Sequence, residues 1–186
     1  MAHHLLRLAA DYLVELAIYR KETFGTEGIL PSGGDAISSN QMISPVHFER
    51  FALPYLKEVY GKIMALGFKH IYIHICGEQN LNLPFWSQVP IGSPGFVSIC
   101  HEVDLEEAAG YFPEDIIIGN LDPSLLKSGT PKAVYEASRR VIERGKSLST
   151  GFIFSPGCDL PPGSSPKNVI AMTEAVNDFG WITRTR

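Results

Sequence analysis

Three absences narrow the reading of this sequence. Only three of its 186 residues are cysteine: Cys76, Cys100 and Cys158. An odd, sparse set argues against a disulfide framework and leaves packing, metal binding or nucleophilic chemistry. No apolar run approaches the roughly 18 residues that a membrane span needs. The start, Met1 to Arg7, lacks the basic head, apolar stretch and cleavage site of a signal peptide. The expected location is therefore the cytoplasm, with no membrane partner. No dense basic stripe occurs, and 16 basic against 20 acidic residues give a net charge of −4. Nucleic acid is thus not an expected partner. Apolar residues at 45% and charged residues at 19% are ordinary for a globular chain. They exclude a disordered chain, a coiled coil and a collagen-like repeat.

What is present is an alternation of short apolar strands and amphipathic helices. Leu5 to Phe24 carries apolar residues at helical spacing, and Gly25 stands where a helix stops. Gly28-Ile29-Leu30 is the weakest strand candidate, followed by a polar loop from Pro31 to Asn40. Ser44-Pro45 opens a helix running to about Leu66, with Ser as N-cap and Pro at the first helical position. Pro54 predicts a kink or break within it. Further strands are expected at Lys69–Ile75, Gly95–Ile99, Asp115–Gly119 and Gly151–Phe154. Helices fit at Leu105–Tyr111, Pro131–Arg144 and Pro166–Phe179, the last two opened by Thr130-Pro131 and Ser165-Pro166. About five strands alternating with helices imply a parallel sheet with right-handed crossovers. A closed barrel of this type needs eight strands and typically about 250 residues. The chain is therefore an open sheet or part of a barrel.

Working residues in such folds gather past the C-terminal ends of strands. All three cysteines fall there. His74 and Cys76, two apart on a strand, share a face. Zinc can accept such a pair, and Cys158 can close a His-Cys-Cys set with one exchangeable position, as in catalytic zinc sites. Spacing alone leaves a second reading open, in which the cysteines are small buried hydrophobes. Asp35, Ser39, Gln79, Asn120 and Asp122 are the candidates to line a substrate pocket. Each also has a plain reading: Asp35 as a turn residue, Asn120 to Pro123 as a strand-to-helix turn. Glu106 and Glu107 sit in a helix first turn, where the dipole favours carboxylates. His70 has no evident partner in the sequence. Ser155 lacks a nucleophile-elbow setting, and Gly92 to Gly95 is no phosphate loop.

Four segments resemble the uroporphyrinogen decarboxylase superfamily. They are Ser44 to Lys57, the strand ending His74-Ile75-Cys76-Gly77, Gly119 to Pro123, and Gly151 to Pro162. Within it the similarity is greatest to the zinc-dependent, corrinoid-linked methyltransferases that act on coenzyme M. The resemblance runs from about Thr26 to Gly180, which sets an N-terminal helix at 1–25 apart from a barrel portion at 26–186. It implies the later part of a (β/α)₈ TIM barrel, an α/β fold without the Arg-rich N-terminal segment of the porphyrinogen decarboxylases. It implies zinc on His74, Cys76 and Cys158, with Cys100 or its neighbour Glu102 as a possible fourth ligand. The implied co-substrates are a methyl-corrinoid, brought by a separate corrinoid protein, and a small thiol acceptor. The implied partner is a missing N-terminal half-barrel chain or a second copy in a homo-oligomer. Two other functions stay open: porphyrinogen decarboxylation by an Asp, and a non-catalytic half-barrel that needs a partner chain.

Overall fold

The computed structural model describes residues 1–181. Five parallel strands alternate with helices in one sheet, in the order β1-β2-β3-β4-β5. This is a partial TIM barrel. The strands are β1 (Ser32–Asp35), β2 (Tyr72–Ile75), β3 (Phe96–Ile99), β4 (Ile116–Leu121) and β5 (Gly151–Pro156). The helices are α1 (Ala2–Phe24), α2 (Pro45–His47), α3 (Leu53–Ala65), α4 (Leu83–Trp86), α5 (Leu105–Tyr111), α6 (Pro123–Ser128), α7 (Pro131–Ser147) and α8 (Pro166–Phe179). No helix among the described residues is long and apolar enough to cross a membrane. The described residues group into two compact units, Met1–Val97 and a second from Ser98 onward.

In the first unit, β1 pairs with β2 in register, Ser32 opposite Tyr72 through Asp35 opposite Ile75. The strand expected at Gly28–Leu30 is not there; the chain turns at Glu27 and Gly28, has no regular structure at Ile29 and Leu30, and the strand begins at Ser32. The reason is steric. A Cβ on Gly33 would lie 2.1 Å from the Tyr60 hydroxyl, so close packing under Tyr60 demands glycine. The Gly33-Gly34 pair thereby removes the side-chain alternation that marks a strand. The expected helix from Ser44 to Leu66 is broken. Ser44 caps α2 by accepting from the His47 N–H at 3.3 Å. A π-helical turn over Phe48–Ala52 then leads into α3, where Pro54 sits in the first turn. A proline there lacks an N–H that the turn would not use anyway. α4 and the preceding 3₁₀ turn at Asn80–Asn82 were not expected. His70 does have a partner: its Nδ1 lies 2.8 Å from the Pro94 carbonyl oxygen.

In the second unit, β4 pairs with β5 from Ile116–Gly151 to Leu121–Pro156. β4 is buried along nearly its whole length, as its consecutive isoleucines require of a strand covered on both faces. The core joins Leu121, Leu126, Val134, Ala137 and Ala171. α7 lies so close on β5 that a Cβ at Gly145 would stand 2.1 Å from the Phe152 ring. Asp104 caps α5, accepting from the Glu106 and Glu107 N–H groups at 3.0 Å each. Burial opposes ionisation of Asp104, but the Glu107 N–H and the Arg144 guanidinium outweigh it and hold the carboxyl below its usual range.

Asn168 ties α8 to α6. Its side-chain NH₂ donates to the carbonyls of Leu125 (3.3 Å), Leu126 (3.1 Å) and Gly129 (2.9 Å). At this helix end the Leu125 carbonyl also accepts from the Gly129 N–H at 2.8 Å and the Leu126 carbonyl from the Ser165 N–H at 3.1 Å. Asn168 is buried, so Asn168→Ala takes from the Gly129 carbonyl its side-chain donor and leaves the Leu125 and Leu126 carbonyls with one backbone donor each. The expected loss is about 1–3 kcal/mol, read as a lowered urea midpoint at an unchanged slope. A midpoint equal to the parent's would refute this assignment.

Candidate metal centre

The site is assembled at strand ends. On β2, Ile73 and Ile75 are buried while Tyr72 and His74 are half-buried, so His74 points to the face opposite the two isoleucines. Cys76 follows one residue past the strand, its N–H donating to the Asp35 carbonyl at 3.1 Å. The turn beyond it needs glycine: Gly77 has φ +76°, and a Cβ there would come within 2.9 Å of Ser39 Cβ. Gln79, fully buried, then folds back under the turn. Its Nε2 donates to the Cys76 carbonyl at 3.0 Å. Its Oε1 accepts from Asn82 Nδ2 at 2.9 Å and from the Trp86 indole at 3.2 Å.

The second unit repeats this device. Cys100, at the end of β3, is buried. The Asn120 amide donates to the Cys100 carbonyl at 3.3 Å and to that of Val103 at 2.7 Å. After β5 the chain crosses that same backbone. The Gly157 N–H donates to the Leu121 carbonyl at 2.8 Å. A Cβ on Gly157 would lie 2.7 Å from the His101 nitrogen and 3.2 Å from Cys100 Cα. Only glycine permits this crossing, and it sets Cys158 down beside Cys100.

His74, Cys76, Cys100 and Cys158 form a group whose potential ligand atoms all lie within 4.8 Å of one another. A tetrahedral zinc with Zn–S bonds of about 2.3 Å spaces its sulfurs by roughly 3.8 Å. The donor set, one imidazole and three thiols, fits zinc in kind. Glu102 is not a member of the group. It faces His101, whose Nδ1 is 3.1 Å from Glu102 Oε2 and whose Nε2 is 3.8 Å from Asp122 Oδ1.

The residues expected to line a pocket each have hydrogen-bond partners within the chain. Asp35 Oδ1 accepts from the N–H groups of Ile37 (3.1 Å) and Ser38 (2.9 Å), and Oδ2 pairs with the Ser38 hydroxyl. Asp35 also raises the pKa of Tyr60, though burial does so more, and together they push it up to about 12. Ser39 is buried, its carbonyl accepting from Met42 and Ile43. Asp122 caps α6, accepting from the Ser124 N–H and hydroxyl at 2.8 Å each. Gln79 and Asn120, as given above, hold cysteine carbonyls. Sequence reasoning missed Gly157, Asn82 and Trp86. A glycine directly before a candidate ligand was the only available signal for the first.

Parallel strands of barrel type, with histidine and cysteine collected at their C-terminal ends, define the class. The profile of the uroporphyrinogen decarboxylase (URO-D) family matches residues 1–179, and the chain belongs to that family. The match takes in α1 as well as the segment from Thr26 onward. The chain is 31% identical over 148 residues to a methylcobamide:CoM methyltransferase, MtbA, of Methanosarcina acetivorans, covering 79% of this chain and 41% of that protein. It is 29% identical over 184 residues to MtbA of Methanosarcina mazei, covering 95% and 49%. A uroporphyrinogen decarboxylase of an Anaeromyxobacter species is 29% identical over 135 residues, covering 72% and 36%. A solved methyltransferase from Methanosarcina mazei has the same fold, with a TM-score of 0.76 at 18% identity over 96% of this chain and 50% of that one. The chain thus spans about half the length, or less, of the relatives it matches.

Proposed function

We propose that this chain carries the zinc-binding part of a methyltransferase that moves a methyl group from a methyl-corrinoid to a thiol. The observation that carries this reading is the clustering of one imidazole and three thiols in a URO-D family chain. The printed activity of two relatives, methylcobamide:CoM methyltransferase, supports it. His74, Cys76 and Cys158 are the proposed ligands, with Cys100 the fourth. Zinc bound there would lower the pKa of an incoming thiol, so that its sulfur is deprotonated near neutral pH. Gln79 and Asn120 act as positioning residues, each fixing the carbonyl of one cysteine. Cys100, the most buried member, competes with the acceptor sulfur for the same corner. In the reaction, the acceptor sulfur forms a bond to the methyl carbon and the cobalt–carbon bond breaks, both electrons staying on cobalt. The corrinoid arrives on a separate carrier protein. Porphyrinogen decarboxylation by Asp35 draws no support from a carboxylate engaged at both oxygens by its own turn.

X-ray absorption at the zinc edge tests the reading. The zinc-loaded protein is expected to show nitrogen and sulfur neighbours, and a selenium analogue of coenzyme M is expected to add a zinc–selenium shell. A purely oxygen and nitrogen shell would refute the metal assignment. A sulfur-rich shell that never acquires selenium would refute the acceptor assignment while leaving the metal in place.

A further inference from the structure

Two of the three cysteines, Cys100 and Cys158, belong to the second unit, and no disulfide links them. Their sulfurs lie within 4.8 Å of each other. A disulfide needs its sulfurs at about 2.05 Å and its two backbones close together. The Gly157 crossing supplies the backbone approach: a Cβ there would stand 3.2 Å from Cys100 Cα, and Cys158 is the next residue. The two ends differ in freedom. Cys100 is buried at the end of β3, and the Asn120 amide holds its carbonyl at 3.3 Å. Cys158 is half-buried and leads into a segment outside any helix or strand, with Asp159, Leu160, Pro162 and Gly163 exposed. Rotation about χ1 at Cys158, with adjustment of that segment, closes the remaining gap while Cys100 stays in place.

We infer that Cys100 and Cys158 form a modification site, a thiol pair that a hydroperoxide converts reversibly into a disulfide. The more accessible sulfur reacts first. Cys158 Sγ attacks a peroxide oxygen, the O–O bond breaks, and Cys158 becomes a sulfenic acid while the rest of the peroxide leaves as an alcohol, or as water from hydrogen peroxide. Cys100 Sγ then attacks the Cys158 sulfur. The S–S bond forms, the S–O bond breaks, and the oxygen leaves as water with the Cys100 thiol proton. Two thiols thus give up two electrons and two protons, and the hydroperoxide takes them. Burial shields Cys100 from direct attack, which suits the resolving partner. Thiol exchange with a small reductant reverses the bridge. A sparse, odd cysteine count excludes a disulfide framework but not a transient, redox-sensing pair. The bridge encloses α5, β4, α6, α7 and β5, so it restrains the unfolded second unit. It also leaves only His74 and Cys76 of the four candidate ligands. The pairing stands on the sulfur geometry of the second unit; only its link to metal retention rests on the zinc reading proposed above.

The test takes the full chain, reduced and stripped of metal by a chelator, and adds one equivalent of hydrogen peroxide. Thiol titration in denaturant is expected to fall from three per chain to one. Peptide mapping without reduction is expected to show Cys100 joined to Cys158 within a single chain. Dithiothreitol should restore all three thiols, and the oxidised chain should unfold at a higher urea midpoint than the reduced one. Cys76→Ala should bridge like the parent. Cys100→Ala should stop at the Cys158 sulfenic acid, trapped by dimedone, and Cys158→Ala should slow thiol loss by about tenfold or more. Retention of three thiols overturns the inference. So do cross-links that join different chains, or a main cross-link that uses Cys76. In a second arm, one equivalent of zinc added before the peroxide is expected to slow bridging by about tenfold or more, because ligation occupies both sulfurs. Equal rates with and without zinc would overturn the ligation and leave the pair standing. No bridge in either arm would overturn the pair and leave the metal reading as it was.

Discussion

Cys158→Ala is expected to weaken zinc binding by two to three orders of magnitude while leaving the fold intact. Structural zinc sites with four ligands bind with roughly 10–16 kcal/mol at neutral pH. One ligand's even share is about 2.5–4 kcal/mol, and each 1.4 kcal/mol is tenfold. The side chain is half-buried and lies beyond the end of β5, so its loss opens no cavity in the core of Leu121, Leu126 and Val134. Gly157, which makes the close crossing over Cys100, is untouched. Cys100→Ala is the contrasting variant. It removes the candidate that competes with the acceptor sulfur and keeps His74, Cys76 and Cys158, so zinc should still bind, more weakly by one ligand's share, and an added thiol should enter the vacated corner and restore affinity. Competition with a chromogenic chelator measures both affinities, and urea unfolding of the metal-free proteins checks that folding is unchanged. Parent-like zinc affinity in Cys158→Ala would remove Cys158 from the ligand set.

The residues that made this centre legible in the sequence are those whose chemistry is rare. A His and a Cys two apart at a strand end share a face by the strand period, while spacing alone leaves open the reading of small buried hydrophobes. Helix starts were equally legible. Ser44-Pro45 and Thr130-Pro131 both form capped first turns, and Ser165-Pro166 starts α8 where expected, although the Ser165 side chain makes no capping bond. β1 was illegible because Gly33 and Gly34 carry no side chains, and the cause lies 27 residues away in Tyr60, a contact that no local pattern encodes. The turn of the helix at Phe48–Ala52 was hidden for a similar reason: Pro54 announces a disruption but not its form. Gln79 and Asn120 read as pocket residues because polar groups past strand ends usually face the site. Here the neighbouring cysteine carbonyls needed donors, and a buried carbonyl without one is costly. The amides turned inward to meet them.

The same logic makes Trp86 the side chain whose loss should cost most. It is 1% exposed and packs on Phe48 with ring centroids 5.3 Å apart at 54°, while Phe48 itself also lies beside Phe85. Trp86→Ala empties the volume of an indole beside the buried Phe48 ring. Such truncations cost about 3–5 kcal/mol. The indole N–H is also one of two donors to Gln79 Oε1; with Asn82 left as the other, its loss adds roughly 1 kcal/mol. Against a typical total stability of about 5–15 kcal/mol, this variant should be partly unfolded at 37 °C. Trp86→Phe keeps most of the packing and loses the N–H, so it should cost about 1–2 kcal/mol. It should also loosen zinc measurably, because Gln79 then holds the Cys76 carbonyl from a less fixed position. Urea unfolding followed by far-ultraviolet circular dichroism measures the two stabilities, and the chelator competition measures the second effect. A Trp86→Ala midpoint within experimental error of the parent would show that the Phe48–Trp86 contact does not carry the first unit. A Trp86→Phe protein with weakened folding but parent-like zinc affinity would show that Gln79 fixes the turn after β2 without help from the indole.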